Sequence, residues 1–304
     1  MDLHLMENIL CIAEERSITR AAEKRFVTQS ALNQQLQKLE EELGTPLFVR
    51  SRSNWQPTPA GEAYLAAARQ MLLIKQDTYN RIADHAERGR RRLAIGLIQE
   101  RGVDMFTAVY PVFHREFPDV QVEPVECHVT AMRRMISSGQ LNLGLATLME
   151  HQKDDNLYHL MAEEEIVLAV PRSNPLAEGG CANWRFAPET ELSRFSGEPF
   201  VRIYQRSTLF ELTEALFQAA GFEPRVLFST SSNVSKFRIV ETGLGCTLLP
   251  AVYATRSEHI RYFRLQEHPS WQITLCSRKG GYLGRAEQRY LALCRAYWQE
   301  KLAE

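Results

Sequence analysis

Gln29, Ser30, Asn33, Gln34 and Gln37 fall within nine residues and carry only amide and hydroxyl groups. An amide presents a donor and an acceptor side by side, which matches the adenine edge in the DNA major groove. A serine near a helix start, beside free backbone amides, suits a phosphate oxygen. Arg50 and Arg52, a little further on, could reach phosphates or the minor groove.

A second set is scattered over the rest of the chain: Gln99, Glu100, Arg101, Thr130, Thr147, Arg202, Tyr204, Ser207 and Thr230. Each falls just after an apolar run that reads as a strand, and ligands of open α/β sheets bind beyond the carboxyl ends of strands. Ser207 or Thr208 can cap the helix that follows, leaving backbone amides bare toward a carboxylate. Arg202 is suited to hold such a group bidentately. The plainer alternative is that Ser207 and Thr208 only cap and Arg202 only forms a surface ion pair.

The elements that position the first set are legible. Met6, Ile9, Leu10 and Ala13 predict a helix over 3–15. Thr19 is the expected cap of a second helix, and Arg25-Phe-Val its turn. Thr28 caps a third helix running to about Leu43, with Leu32, Leu36, Leu39 and Leu43 as its buried stripe and the amides opposite. Gly44 stops it. Residues 47–50 and 55–57 read as a two-stranded wing, with a turn over 51–54. On an isolated helix such an amide face is a solvated surface; the helix-turn-helix spacing and the wing point to DNA. The basic groups here face acids at Glu14-Glu15 and Glu40-Glu-Glu, so the unit is polarised rather than basic.

Thr58-Pro59 starts a long helix over 59–88. Leu65, Ala68, Leu72, Tyr79, Ile82 and Ala86 give it an alternating three-four spacing, broken by Lys75, that suits a helix–helix seam or packing on its own N-terminal unit. Glu87-Arg-Gly-Arg-Arg-Arg reads as a charged hinge. From Leu93 strands and helices alternate, predicting an α/β region with a mostly parallel sheet and helices on both faces. Strand 165–170 is expected to cross into a second lobe, and strand 273–276 and a helix over 284–302 to return to the first.

At 304 residues the chain allows two or three domains. Its net charge of −1 makes any nucleic-acid contact local. The reading expects no secretory signal, no membrane-spanning run, no metal site and no cofactor. The six cysteines are scattered, with no Cys-x-x-Cys pair. No nucleophile elbow, phosphate loop or His-Glu-x-x-His motif argues for an enzyme, and Gly243-Leu-Gly reads as a helix stop rather than a dinucleotide turn.

Ser17-Ile-Thr-Arg-Ala-Ala-Glu, Val27-Thr-Gln-Ser-Ala-Leu, Leu39-Glu-Glu-Glu-Leu-Gly-Thr-Pro-Leu-Phe and Thr58-Pro-Ala-Gly-Glu closely resemble the LysR-type transcriptional regulators. Softer landmarks, Phe117-Pro-Asp-Val, Asn174-Pro-Leu-Ala and Gly243-Leu-Gly, extend the likeness over nearly the whole chain. Asn33-Gln34 and Asn142 depart from the family's usual residues.

The resemblance implies a winged helix-turn-helix over 1–58, a linker helix that dimerises over 59–88, and a two-lobed effector domain over 89–304, similar to periplasmic solute-binding proteins. Lobe I is expected at about 91–164 and 270–304, lobe II at about 165–269. The expected function is a cytoplasmic, sequence-specific regulator, not an enzyme. Its expected partners are double-stranded DNA, a small anionic effector held in the interlobe cleft, and its own copies as homodimer or homotetramer, with RNA polymerase a further partner open to such a regulator. The alternatives are redox sensing, with Cys181 and Cys246 as the pair to watch, and, more remotely, a solute-binding protein or an enzyme.

Overall fold

The structure, a computed structural model, describes residues 2–50, 54–86, 91–205 and 207–303. It forms two compact units, residues 1–89 and 90–304. The expected helix-turn-helix and linker segments thus share one unit.

Helix α1 (Leu3–Glu15) starts on Asp2, whose carboxylate accepts from His4 N at 2.8 Å. Ser17, not Thr19, caps α2 (Ile18–Lys24), because its hydroxyl is the one placed to accept from Arg20 N. Thr19 lies inside the helix and donates to the Gln29 side chain instead. Thr28 caps α3 (Gln29–Leu43), and Gly44 ends it at φ +70°. Leu32, Leu36 and Leu39 are buried among α1 and α2 residues. Leu43, expected in the same stripe, is exposed in the last helical turn, where the chain leaves the core.

The wing strands β1 (Phe48–Val49) and β2 (Gln56–Pro57) pair antiparallel. Glu40 fixes the wing to α3: its carboxylate accepts from Leu47 N at 2.7 Å and pairs with Arg50. Trp55 N donates to Arg16 O at 3.0 Å.

Helix α4 (Pro59–Ala86) is capped by Thr58, whose hydroxyl accepts from Gly61 N at 3.0 Å and donates to Pro46 O at 2.7 Å. Its early turns, with Tyr64, Leu65 and Ala68, close the core over α1. Beyond Leu72 the helix outruns that core, and Ile74, Tyr79 and Ile82 are exposed at 60–65%. A helix of this length spans about 42 Å. Own-core packing therefore accounts for the early turns of its apolar stripe, and the later turns leave the stripe uncovered.

The second unit begins β3 (Arg91–Leu97), α5 (Arg101–Glu116), β4 (Val120–Glu126), α6 (Val129–Ser137), β5 (Leu143–Leu148). The 15-residue β6 (Leu157–Pro171) then crosses into lobe II. That lobe holds β7 (Glu189–Thr190), β8 (Pro199–Ile203), α7 (Thr208–Ala219), β9 (Arg225–Thr230), α8 (Asn233–Glu241), β10 (Thr247–Pro250) and β11 (Ile260–Leu265). The chain returns through β12 (Ser270–Ser277) to α9 (Arg285–Ala303) in lobe I.

The main sheet runs β4-β3-β5-β12-β6-β11-β7, with β10 also on β6, and β8-β9 form a separate parallel pair. The expectation of a mostly parallel sheet needs correction. Only β4-β3-β5, β8-β9 and β11-β7 are parallel, whereas every pair made by β12, and each of β6's partners, is antiparallel. The cause is β6 itself: one strand serves both lobes, so β12, the strand that returns, must run against it. Helices α5 and α9 cover one face of the lobe I sheet and α6 the other. Asn142, at the family-departing position, clamps β3 by accepting from Ala94 N at 2.9 Å.

At Gly61, α4 passes close to the wing. A Cβ there would lie 2.0 Å from Leu47 O. Backbone cannot yield as a side-chain tip can, so Gly61→Ala is expected to destabilise the first unit by about 3 kcal/mol, the upper end for overpacking. Thermal unfolding of the variant checks this, and an unchanged midpoint would contradict the close approach.

Candidate DNA-reading face and interlobe cavity

On α3, Gln29, Ser30, Gln34 and Gln37 are exposed and Asn33 is half-buried. Ser30, Asn33, Gln34 and Gln37 make no side-chain hydrogen bond to another described residue, so their donors and acceptors face outward; Gln29 accepts from Thr19 at 3.2 Å. Gln35 faces elsewhere, and accepts from the buried Asn8 at 2.8 Å. Asn8 in turn accepts from Arg25 at 2.9 Å, and Glu7 pairs with Arg25 at 2.7 Å and with Lys75 at 3.3 Å. This chain of contacts ties α1, α2, α3 and α4 behind the amide face, and the sequence pattern did not disclose it. Arg50, expected at DNA, is held by Glu40 and lies 5.6 Å over the Trp55 ring. Arg52 lies outside the described residues, as do residues 87–90 of the expected hinge.

In the second unit a cavity of about 350 Å³ opens between the lobes. Six of the sequence-predicted residues line it: Gln99, Glu100, Arg101, Thr130, Thr147 and Ser207. The starts of four helices, α5, α6, α7 and α8, meet around it. Ser207 caps α7 by accepting from Phe210 N at 3.1 Å, whereas His128 at the start of α6 makes no side-chain cap bond. The first amides of α6 are thus left to a ligand or water.

Three expected residues do not line the cavity. Arg202 pairs with Glu214 and stacks 4.8 Å over Phe210, which removes it as a free carboxylate clamp. Its plainer reading, an ion pair, is what the structure shows. Tyr204 is exposed, its backbone N donating to Thr230 O at 3.0 Å. Thr230 accepts from Ser232 N at 3.2 Å and so shapes the loop before α8 instead.

The strongest group in the cavity is Arg101, 4% exposed. Its Nη1 donates to Glu164 at 2.6 Å, and its guanidinium lies 5.0 Å from the Trp271 ring, with Tyr253 and Trp298 also around it. Its Nη2 finds no acceptor. Glu164 also accepts from Trp271 Nε1 at 2.6 Å and Val252 N at 2.9 Å. Glu164, Trp271 and Tyr253 were missed because their partners come from distant stretches of sequence.

The Cys181–Cys246 pair gains little. Cys246 is buried, and burial pushes its thiol up to about 12, so thiolate is scarce at neutral pH. Cys181 and Cys246 pack into clusters that share alternate residues of β6, hence opposite faces of one sheet. The described residues hold no group of His, Cys, Asp and Glu arranged for a metal, and no helix is long and apolar enough to cross a membrane.

A winged helix-turn-helix joined in one chain to a two-lobed α/β unit with a polar interlobe cavity defines a ligand-responsive DNA-binding class. Residues 3–62 match the family model for bacterial regulatory helix-turn-helix proteins of the lysR family, and residues 86–299 the LysR substrate binding domain. The chain belongs to the LysR-type DNA-binding transcriptional regulators. It is 26% identical to the HTH-type regulator YcgK of Bacillus subtilis over 97% of this chain and 94% of that one. It is 27% identical to the Hca operon transcriptional activator HcaR of Escherichia coli over 82% of each. Among solved structures it is similar to a full-length OxyR variant from Pseudomonas aeruginosa (TM-score 0.67, 24% identity, 97% of each chain covered). It is also similar to CbnR in complex with its target DNA (TM-score 0.56, 20% identity, 97% and 99% covered).

Lys236 on α8 is 1% exposed and donates to Leu248 O at 2.7 Å and Asn233 Oδ1 at 3.2 Å. Burial pushes its ammonium down to about 7, against an opposing pull from Glu100. The unfolded chain therefore binds more protons than the folded one between about pH 7 and the ordinary lysine value. The penalty for the buried charge is full below that window and fades as pH rises through it. Wild type is expected to gain stability relative to Lys236→Met between pH 7 and 9. Denaturant melts across that range check this, and parallel profiles would contradict it.

Proposed function

We propose that this protein reads an operator with the amide face of α3 and changes its engagement when a small anionic compound enters the interlobe cavity. The observation that carries the effector reading is Arg101: a cation all but buried beside the cavity, with Nη2 unanswered. A buried donor without an acceptor is costly, and a carboxylate or similar oxygen acceptor would satisfy it. Thr130, Thr147 and the bare amides of α6 supply further donors around the same space. Nothing in this arrangement is built for turnover, and we read the chain as a regulator acting in the cytoplasm, where its DNA is.

The uncovered face of α4, with Ile74, Tyr79 and Ile82, is read as the seam to a second copy. A homodimer presents two α3 helices to two half-sites, and a homotetramer four. Ligand binding alters DNA engagement only if it favours one lobe arrangement over another.

Gel shifts on the protein's own upstream region test the reading face. Gln29→Ala and Asn33→Ala are each expected to weaken specific binding about tenfold or more, as loss of a base contact does, with non-specific binding retained. Full specific binding in both variants would move the reading surface elsewhere. A thermal-shift screen of small carboxylates tests the cavity. Thr130→Val should weaken the responding compound about tenfold, while Arg202→Ala leaves it unchanged. A screen in which no carboxylate responds would overturn the anionic-effector reading, and an Arg202 variant that loses the response would return that arginine to the site. Ile74→Glu with Ile82→Glu should yield smaller species in sedimentation; an unchanged state would place the interface elsewhere.

A further inference from the structure

Glu100 sits between β3 and α5 with its backbone at φ +58°, a conformation that favours glycine. Its side chain makes no cap bond to its own helix. It reaches across the cavity mouth to lobe II instead, where Oε1 accepts from Ser232 Oγ at 2.5 Å and Oε2 from Asn233 N at 3.1 Å. Ser232 is itself the cap of α8, accepting from Ser235 N at 3.0 Å. Behind that first turn Lys236 holds the Asn233 side chain, and no carboxylate among the described residues touches it. A second link joins the lobes at the cavity: Gln152 of lobe I donates to Glu211 of α7.

We propose that Glu100 is a built-in ligand of lobe II, a carboxylate carried by lobe I that occupies the start of α8 and holds the lobes together before any effector arrives. Four facts converge on it. The residue bears a side chain where glycine is favoured. Both carboxylate oxygens are used, and both by the other lobe. The carboxylate meets the positive end of a helix. It is also the negative charge that supports the buried Lys236. An effector then acts on lobes already latched on this side, and the start of α8 is closed to a carboxylate from outside. Glu100 is a positioning residue in this scheme, not a group that must touch the effector.

The test is hydrogen exchange on the full chain, reading the amides at the start of α8, with sodium acetate as probe and sodium chloride at equal ionic strength as control. Glu100→Gly removes the carboxylate and suits the backbone. It is expected to speed exchange at Asn233 and its neighbours about tenfold or more, while β3 and α9 keep wild-type protection. Acetate should restore the α8 protection in the variant and change little in wild type, whereas chloride should restore nothing. Wild-type protection in Glu100→Gly would overturn the proposal. So would a loss that acetate fails to restore, or that chloride restores equally. Should β3 or α9 also lose protection, Glu100→Ser, too short to reach α8, provides the same comparison. The experiment uses neither DNA nor effector, so its failure is separate from failure of the effector reading.

Discussion

The two-lobed unit turns on one buried ion pair. Arg101 begins α5 in lobe I, and Glu164 lies on the strand that crosses into lobe II. Glu164 also takes the Trp271 indole, on the strand that returns, and the Val252 amide, just past β10. Three segments that meet only at the crossing thus share a single carboxylate. A buried pair of this sort adds little net stability over apolar packing, but removing one partner strands the other charge at a cost of about 3–5 kcal/mol. The geometry therefore constrains more than it stabilises. It fixes where β6 and β12 cross, and with them the two walls of the cavity.

The first unit uses the same device at lower stakes. Asn8, Gln35, Arg25, Glu7 and Lys75 bond one another behind the reading helix, so α3 is held by polar contacts as well as by Leu32, Leu36 and Leu39. Polar contacts are directional, which sets the rotation of α3 about its own axis. That rotation is what leaves Ser30, Gln34 and Gln37 facing outward and brings the Gln35 side chain against Asn8. On the wing side Glu40 does comparable work, holding the backbone of Leu47 and the side chain of Arg50. The acidic run at the end of α3 is thus partly structural, and the wing's one described arginine is already paired.

Local pattern made the first sixty residues readable. Thr28, Gly44 and Thr58 act where their residue types say they should, because capping depends on neighbours in sequence. Thr19 misled because Ser17, two residues earlier, is an equally good cap, and only the packing of α2 chooses between them. In the second unit the alternation of strands and helices was visible, but strand direction was not. A parallel and an antiparallel partner look alike in composition, and β6 serving both lobes is a long-range fact. The same holds for the cavity. Residues after strand ends could be named, and six of nine line it. Which arginine reaches the cavity depends on carboxylates elsewhere: Glu214 takes Arg202 and Glu164 takes Arg101, each leaving one nitrogen over, and of the two only Arg101 lines the cavity.

That remainder bears on how such a cavity selects its ligand. Its charged side chains are largely answered from within: Arg133 by Asp154, Glu211 by Gln152, Glu100 by the start of α8, and Arg101 in part by Glu164. Arg101 and Arg133 stand in ion pairs, whereas Glu100 and Glu211 are bonded to neutral groups and keep their charge, so the long-range field here does not draw in an anion. On the proposed effector reading, selection falls instead to the few donors left over, Arg101 Nη2 and the first amides of α6, and to the shape set by Ile98, Leu148, Ile203 and Trp271. Unsatisfied donors discriminate sharply, because a compound lacking the matching acceptor leaves them buried and unpaired. A single acceptor in the right place therefore matters more to this site than net charge, and the apolar wall beside it limits what may carry that acceptor.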